Sequence, residues 1–237
     1  MQYHISTGLI VKHFESNCDC PLCTIEKIVE SNICRELLAD GCMDDDVRKQ
    51  VNARGFCNYH FDMLFEMPSK LGLALQCDTR MNTLFKTITL PKKVKDAKKQ
   101  AKKIQEELST CIVCDFTQKE MVKYYKTIAQ LWNNEQQFKD MLANSNGFCL
   151  KHYQYLLSYS DFAFPNANKY LSALYQVEEN RLKTTQKLLK EFANRHDYRN
   201  IGKPLGEAGS ALQKIKKDLY GKKWKNLRFF LDFFIIM

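Results

Sequence analysis

The feature that most constrains this chain is a cysteine and histidine pattern that occurs twice. The first copy reads Cys20-Pro-Leu-Cys23, then Gly55-Phe56-Cys57-Asn58-Tyr59-His60; the second reads Cys111-Ile-Val-Cys114, then Gly147-Phe148-Cys149-Leu150-Lys151-His152. The segments between the CxxC and GFCxxH motifs are 33 and 34 residues long. The two copies are offset by 91 residues at CxxC and by 92 at CxxH, which indicates a duplicated unit.

The residue types in each copy are those that zinc prefers. A structural zinc ion takes four thiolate or imidazole ligands in a tetrahedron, and a CxxH pair on a helix places its two ligands on one face. Each copy supplies one Cys3His set, so we expect two zinc ions per chain. The expected ligands are Cys20, Cys23, Cys57 and His60 in the first copy and Cys111, Cys114, Cys149 and His152 in the second.

Which ligands share an ion is a separate question. Closing a short chain segment loses less entropy than closing a long one, which favours pairing within each copy. The alternative is that the CxxC of one copy pairs with the CxxH of the other, giving interlocked sites.

Other interpretations of the same motifs are weaker. An iron–sulfur cluster uses similar ligands and remains the second choice. Haem attachment needs a histidine directly after CxxC, where Thr24 and Asp115 stand. A catalytic Cys57/His60 dyad lacks a third group to orient it.

The cysteine content also bears on location. The N-terminus shows no basic segment followed by an apolar run, so no secretory signal is predicted and the ten cysteines are expected to be reduced, in the cytoplasm. The longest apolar stretch, at 229–237, is far shorter than the ~20 residues of a membrane span. Four cysteines lie outside the repeat: we expect Cys34 and Cys77 to be buried in the core, Cys42 has no predicted role, and Cys18 is a candidate competing ligand or resolving thiol.

Hydrophobic spacing predicts an all-α fold of two tandem pseudo-repeated helical units, each stapled by a Cys3His zinc site. The predicted segments are a first repeat over 1–90, a connecting helix over 91–110, a second repeat over 111–200 and a basic C-terminal extension over 201–237. The predicted helices include one after Cys23 that ends near Gly41, and a short one from Asp44 to Arg54.

The connecting helix carries a strong charge pattern. Six lysines fall within a 140° arc of a helical projection, at positions 92, 95, 98, 99, 102 and 103. Five apolar residues fall within 80° on the other side: Val94, Ala97, Ala101, Ile104 and Leu108. We therefore predict an amphipathic helix that docks on the core. Residues 1–90 carry a net charge of −3 and residues 91–237 one of +12, so nucleic acid or another polyanion is a possible partner, although not the favoured one.

The paired motifs also support a resemblance. Together with Asp197-Tyr198-Arg199-Asn200 and Lys203-Pro204-Leu205-Gly206, they make the chain similar to a family of unknown function from Gram-positive, often anaerobic, bacteria, over about residues 3–220. That family implies no activity. The residues Tyr198 and Arg199 are predicted to pin the last segment to the helical bundle, or alternatively to bind an anionic ligand or a partner.

Taken together, these features predict a zinc-binding helical protein of unknown process. A closed four-ligand site has no open position for substrate, so we expect a binding or scaffold module with an unidentified protein partner rather than an enzyme. A redox- or metal-responsive thiol switch is one alternative, and polyanion binding through the basic half is another. The oligomeric state is left open.

Overall fold

The computed structural model describes residues 5–16, 18–200 and 204–221. Within these residues all the regular secondary structure is helical, with no strand. The α-helices are α1 Ile5–Glu15, α2 Pro21–Leu38, α3 Asp45–Arg54, α4 Asn58–Glu66, α5 Lys70–Thr87, α6 Val94–Leu108, α7 Ile112–Asn134, α8 Gln136–Ala143, α9 Leu150–Ser158, α10 Ala167–Arg195 and α11 Ala211–Tyr220. Short 3-10 turns lie at Asp40–Cys42, Ser160–Ala163, Tyr198–Asn200 and Gly206–Ser210.

The chain divides into two compact units. One unit combines Met1–Ile25 with Val122–Met237, and the other is the continuous segment Glu26–Met121. We call them the outer unit and the inner unit, because the inner segment is inserted in the sequence of the outer one. The predicted boundaries near residues 90 and 110 do not coincide with this division, and the predicted C-terminal extension lies partly outside the described residues.

Local sequence signals explain most of the helix ends. Asp44 accepts hydrogen bonds from the backbone N–H groups of Asp46 and Val47, so it is the N-cap that the acidic run predicted. Gly55 follows α3 with φ at +60°, a conformation that favours glycine. Gly41 differs from the prediction: it lies inside a 3-10 turn, and a Cβ there would meet the Glu36 carbonyl oxygen at 2.8 Å.

Aromatic residues fill the core of the outer unit. The ring of Phe14 on α1 lies 5.0 Å from that of Phe138 and 6.1 Å from that of Phe148, between ring centroids. Trp132 packs on Tyr170 at 5.3 Å. Side chains of this size each remove a large apolar area from water, so these contacts contribute strongly to the stability of this unit.

The core of the inner unit depends on a close approach between α2 and α5. A Cβ at Gly72 would lie 2.2 Å from the carbonyl oxygen of Leu38, so only glycine fits where α5 meets the end of α2. Beside it, the buried Gln76 side chain donates to the carbonyl oxygen of Leu37 at 3.2 Å. The apolar side chains buried around this contact include Ile33, Leu37, Val51, Leu64 and Leu73.

The connecting helix does not dock on the core as predicted. It forms, as α6, but none of its residues is buried. Val94 is 75% exposed and Leu108 is 77% exposed, although both belong to the apolar arc. The prediction assumed that an apolar arc must be covered within the same chain.

The turn at Tyr198–Asn200 also differs from expectation. Tyr198 is 78% exposed, and Arg199 forms an ion pair with Asp197 only two residues away, at 2.9 Å. Neither side chain pins this segment to the bundle. The following residues 201–203 lie outside the described part of the chain.

Candidate metal centres

Both CxxC motifs occupy the first turn of a helix. Cys20 directly precedes α2 and Cys23 lies in its first turn, where the Cys23 N–H donates to the Cys20 carbonyl oxygen at 3.1 Å. Pro21 suits the first helical position because the N–H that it lacks would have no partner there. Cys111 and Cys114 have the same relation to α7.

Both CxxH motifs occupy helix starts as well. Cys57 is the N-cap of α4 and Cys149 the N-cap of α9, with the histidine three residues further on in each helix. All eight sulfur and imidazole groups therefore lie at helix N-termini. The positive end of each helix dipole stabilises thiolate charge.

The four motifs combine across the copies, which contradicts the expected pairing within each copy. One group, the outer site, consists of Cys20, Cys23, Cys149 and His152. The other, the inner site, consists of Cys57, His60, Cys111 and Cys114. Each site lies wholly within the compact unit of the same name. The eight residues are those that the sequence predicted, and only their assignment to sites is wrong.

The ligand atoms have the spacing of a tetrahedral site. In the outer site the Cys23 and Cys149 sulfurs are 3.6 Å apart, and in the inner site those of Cys57 and Cys114 are 3.9 Å apart. Sulfur atoms lie 3.2 to 3.6 Å from Nδ1 of the histidine in these two sites. Bond lengths of ~2.3 Å to sulfur and ~2.0 Å to nitrogen in a tetrahedron place ligands about 3.5–3.8 Å apart, so the two sites fit one zinc-sized ion each.

No disulfide competes with this arrangement in the described residues, because all ten cysteines are thiols. A disulfide would bring two sulfurs to about 2 Å. The four cysteines outside the repeat join neither site. Cys34 is fully buried as predicted, Cys77 is half-buried, and the sulfur of Cys18 donates to the His13 carbonyl oxygen at 3.2 Å.

The clustered thiol and imidazole groups of both sites favour binding of a cation. In the inner site, hydrogen bonds from Cys111 and Cys114 lower the pKa of the Cys57 thiol. A hydrogen bond with Cys111 raises the pKa of Cys114 in turn. Burial alone would lower the pKa of His60, but hydrogen bonds with Cys111 and Cys57 outweigh it and raise this pKa to about 12.

The outer site shows the same competition for protons. Hydrogen bonding to Cys20 and then to Cys23 raises the pKa of the Cys149 thiol, and burial adds to that effect. Three clustered thiols do not ionise together unless positive charge lies among them. A divalent ion supplies that charge and displaces the protons.

A carboxylate orients the histidine of the inner site. His60 directs Nδ1 at the sulfurs, and its Nε2 lies 3.3 Å from Oε1 of Glu30 on α2. A carboxylate on the second ring nitrogen fixes the histidine tautomer and makes the first nitrogen a better ligand. Glu30 was missed in the sequence because nothing in its spacing connects it with His60.

An arginine that the sequence did not reveal lies beside each site, half-buried in the inner unit and buried in the outer unit. Arg80 of the inner unit donates to the carbonyl oxygen of Asn52 and to Oε2 of Glu107, the latter at 2.6 Å. Arg181 of the outer unit donates to the carbonyl oxygens of Asn146 and Asp19. In both units the arginine joins the segment before GFCxxH to the segment before CxxC.

These arginines explain the glycine of each GFCxxH motif. Gly55 and Gly147 have φ values of +60° and +78°, and a Cβ at either position would lie 3.1 Å from its arginine side chain. Both glycines therefore have a backbone conformation that other residue types rarely adopt. Aligning the two sequence copies does not reveal Arg80 and Arg181 as a pair, because the two arginines lie at different sequence separations from their GFCxxH motifs.

The outer site has a further cover from the end of α11. Gly221, with φ at +72°, lies so close that a Cβ would be 3.2 Å from the sulfurs of both Cys23 and Cys149. All four ligands of this site are buried. In the inner site Cys57 and Cys114 are partly exposed, so the two sites differ in their access to solvent.

Fold and sites together define the class of this protein: an all-helical protein with two Cys3His groups that could each hold a metal ion. The chain belongs to the family of unknown function DUF6062, whose model matches residues 1–226. No curated protein matches the chain, and neither does any solved structure. Across the residues that the structure describes, no helix is both long and apolar enough to span a membrane.

Proposed function

We propose that the protein binds two zinc ions, one in each Cys3His site, and that both ions have a structural role. The observation that carries this proposal is the spacing of the ligand atoms, with sulfurs 3.6 and 3.9 Å apart in the two sites. Zinc accepts thiolate and imidazole without a redox change, and binding energy at such sites adds directly to folding stability.

The same spacing favours a single ion over an iron–sulfur cluster. In a four-iron cluster each ligand binds its own iron atom, so the ligand sulfurs stand further apart than around one ion. The ligand atoms of both sites lie within 4.8 Å of one another. An iron–sulfur cluster remains the second choice for these ligands.

Four protein ligands per ion leave no position for water or substrate, which distinguishes structural from catalytic zinc. We therefore propose a cytoplasmic binding or scaffold module that acts on a protein partner, and not an enzyme. Each ion holds together two helix starts that are far apart in sequence. The ions would thereby fix the surface that a partner recognises.

Metal analysis of the native protein, prepared without oxygen, tests the proposal. We expect two equivalents of zinc per chain, little iron and no visible absorption from a cluster. Replacing zinc by cobalt adds a test of closure: the visible spectrum should be that of a tetrahedral thiolate site and should not change on addition of cyanide or imidazole. Metal content near zero, or a cobalt spectrum that shifts with added ligand, would overturn the structural role.

A second candidate function is a thiol switch at the inner site, favoured by the partial exposure of Cys57 and Cys114. Hydrogen peroxide would take two electrons from these two thiolates, giving one disulfide and two hydroxide ions, and zinc would leave. Peroxide titration should then release one zinc before the other while the outer unit stays folded. Release of both ions only on denaturation would rule out the switch.

Polyanion binding is a third candidate, supported by the exposure of all six lysines in the arc from 92 to 103. Affinity for a nucleic acid would then fall steeply with salt concentration, because released counterions drive such binding. Affinity that does not change with salt would remove this candidate.

A further inference from the structure

A pocket between α9 and α10 lies within the outer unit, and none of the eight metal-site residues lines it. Its volume is about 340 Å³, which is enough for a small molecule or a single side chain. The residues that line it include Leu150 and Tyr153 from α9, and Tyr175, Glu178 and Leu182 from α10. Apolar and aromatic walls with one acidic group suit a ligand that combines hydrocarbon with a polar head.

Glu178 is the residue of this pocket that lacks a partner. Its side chain is 2% exposed, and its Oε2 atom accepts a hydrogen bond from the Phe148 N–H at 3.2 Å. The other carboxyl oxygen, Oε1, is buried and has no hydrogen-bond partner among the described residues. Buried polar atoms are paired in nearly all folded proteins, so this oxygen indicates a donor that the described residues do not supply.

The carboxyl group of Glu178 lies near the tyrosine wall of the pocket. Burial, and after it the charge of Glu178, raises the pKa of the Tyr153 hydroxyl group. Both residues line the same pocket, so a ligand bound there lies beside the carboxyl group. An N–H donor on that ligand would supply the partner that Oε1 lacks.

The other charged groups at the pocket are already paired with each other. Glu179 accepts a hydrogen bond from the Tyr175 hydroxyl at 3.1 Å and forms an ion pair with Lys183 at 3.0 Å. The charges of Glu179 and Lys183 therefore cancel. Glu178 then sets the net charge of the pocket, which is negative when its carboxyl group is ionised.

The nearby guanidinium group of Arg181 is engaged elsewhere. It forms ion pairs with Asp218 at 2.5 Å and with Asp19 at 3.1 Å, and it does not line the pocket. Two carboxylates thus share this one guanidinium group. The charge that the pocket favours in a ligand is positive.

We propose that this pocket binds an alkylammonium group, with the ammonium head at Glu178 and the hydrocarbon stem between Leu150 and Leu182. The tyrosine walls suit such a ligand, because aromatic rings attract cations as well as hydrocarbon. The same chemistry is found in free amines and in the lysine side chains of other proteins. The inference goes beyond the zinc sites and does not depend on them.

Other ligand classes fit the pocket less well. The charge of Glu178 repels an anion. A metal ion that prefers oxygen takes several such ligands, whereas Glu179 is already paired and burial keeps the Tyr153 hydroxyl group protonated at neutral pH. A neutral hydrocarbon would leave Oε1 without its donor.

Leucine methyl NMR of the full-length, zinc-loaded chain at pH 8 tests the pocket. Glu178 is ionised at this pH, because burial raises its pKa only to about 7. We expect n-butylammonium to shift the methyl signals of Leu150 and Leu182 saturably, with a dissociation constant on the order of 1 mM. Butanol should bind at least ~10-fold more weakly because it lacks the charge, and butyrate should not bind.

Two variants test the roles of the walls. Glu178→Gln keeps the size of the side chain and removes its charge, so the dissociation constant for n-butylammonium should rise at least ~10-fold. Leu182→Trp, at a position 41% exposed, should fill the pocket and abolish the shift of the Leu150 signal. Leu212→Trp is the matched control, because Leu212 is exposed in the same unit and does not line the pocket; binding should be unchanged.

Two further probes distinguish the source of the ammonium group. Putrescine represents a free amine, and an acetyl-lysine methylamide with a free side-chain amine represents a lysine within a polypeptide. Tighter binding of putrescine assigns the pocket to a free amine, and tighter binding of the lysine derivative assigns it to a protein partner.

Three results would overturn the proposal: no saturable shift with n-butylammonium, equal affinity for butanol, or unchanged affinity in a folded Glu178→Gln variant. Circular dichroism and zinc content show whether each variant folds. If Glu178→Gln does not fold, binding that persists in Leu182→Trp would overturn the proposal in its place. Because every measurement uses the zinc-loaded chain, a failure here is distinct from a failure of zinc binding.

Discussion

The Nδ1 atom of His152 lies 3.6 Å from the sulfur of Cys20, although 132 positions separate the two residues. This proximity predicts which pairs of substitutions remove the same ion. Cys57→Ser and Cys111→Ser should each lower the zinc content from two to one, and the double variant should still bind one. Cys20→Ser combined with Cys57→Ser should bind none. Metal analysis of the purified variants measures all four.

The control for this set is Cys42→Ser, which replaces a buried cysteine outside both sites and should keep two ions. Pairing within each copy would reverse the two double variants, since Cys20 and Cys57 would then share an ion. Loss of Cys57 should also destabilise the inner unit most, and hydrogen exchange resolved along the chain should detect this.

Gly221 provides a second prediction, because it closes the outer site. Gly221→Ala forces a side chain into the left-handed region, at a cost of about 1–2 kcal/mol, and also drives a methyl group against two sulfurs. We expect faster loss of one zinc to a chelator, together with a lower unfolding temperature.

Gly206 is the matched control for Gly221. Its φ is +55°, and nothing lies within 4 Å of a Cβ there. Gly206→Ala should show the backbone strain without the change in zinc release. Equal release rates in the two variants would mean that Gly221 does not protect the outer site.

The Glu30 carboxylate should contribute to zinc affinity in the inner site through His60. Glu30→Gln removes a charge from the second ring nitrogen, and such changes weaken metal binding by about 10- to 100-fold. A competition titration with a coloured chelator should show one ion weakened and the other unchanged. Glu36→Gln, on an exposed position of the same helix, should change neither ion.

A pH-dependent contribution to stability is expected from Glu178, which is 2% exposed and accepts a hydrogen bond from the Phe148 N–H at 3.2 Å. Burial raises the pKa of its carboxyl group from 4.5 to about 7. At pH values between 4.5 and about 7, the folded protein therefore keeps a proton on Glu178 that the unfolded chain has released. Stability from this group is complete at low pH and falls as the pH rises toward 7, by up to about 3 kcal/mol.

Glu178→Gln should remove this dependence. The free energy of unfolding of the variant, relative to the natural chain, should increase from pH 5 to pH 8, as measured by urea denaturation of the zinc-loaded proteins. Glu179→Gln, at a half-buried neighbour that pairs with Lys183, should give a nearly constant difference over the same range. A constant difference for Glu178→Gln would show that the carboxyl group titrates normally.

The sequence alone predicted the helical class, the helices α2, α3 and α6 and all eight candidate ligands. These depend on local signals, such as the Asp44 cap and the cysteine spacings, which act over a few residues. Helix α1 was not predicted.

Local sequence signals did not predict which CxxC motif shares a site with which CxxH motif. Joining Cys23 to Cys149 closes 125 intervening residues, against 33 for the pairing within the first copy. That difference in closure entropy amounts to only about 1 kcal/mol, which the packing of a unit easily outweighs. The bracing residues Glu30, Arg80 and Arg181 were missed because they meet the sites only through the three-dimensional fold.

The insertion of the inner unit within the outer one has a consequence for synthesis. The inner site has all its ligands once Cys114 has left the ribosome, whereas the outer site must wait for His152. Before Cys111 and Cys114 are synthesised, however, Cys20, Cys23, Cys57 and His60 are the first four ligands available to one ion. A zinc ion captured there must be given up before the native fold forms, so free zinc at the time of translation would slow the maturation of this protein rather than assist it.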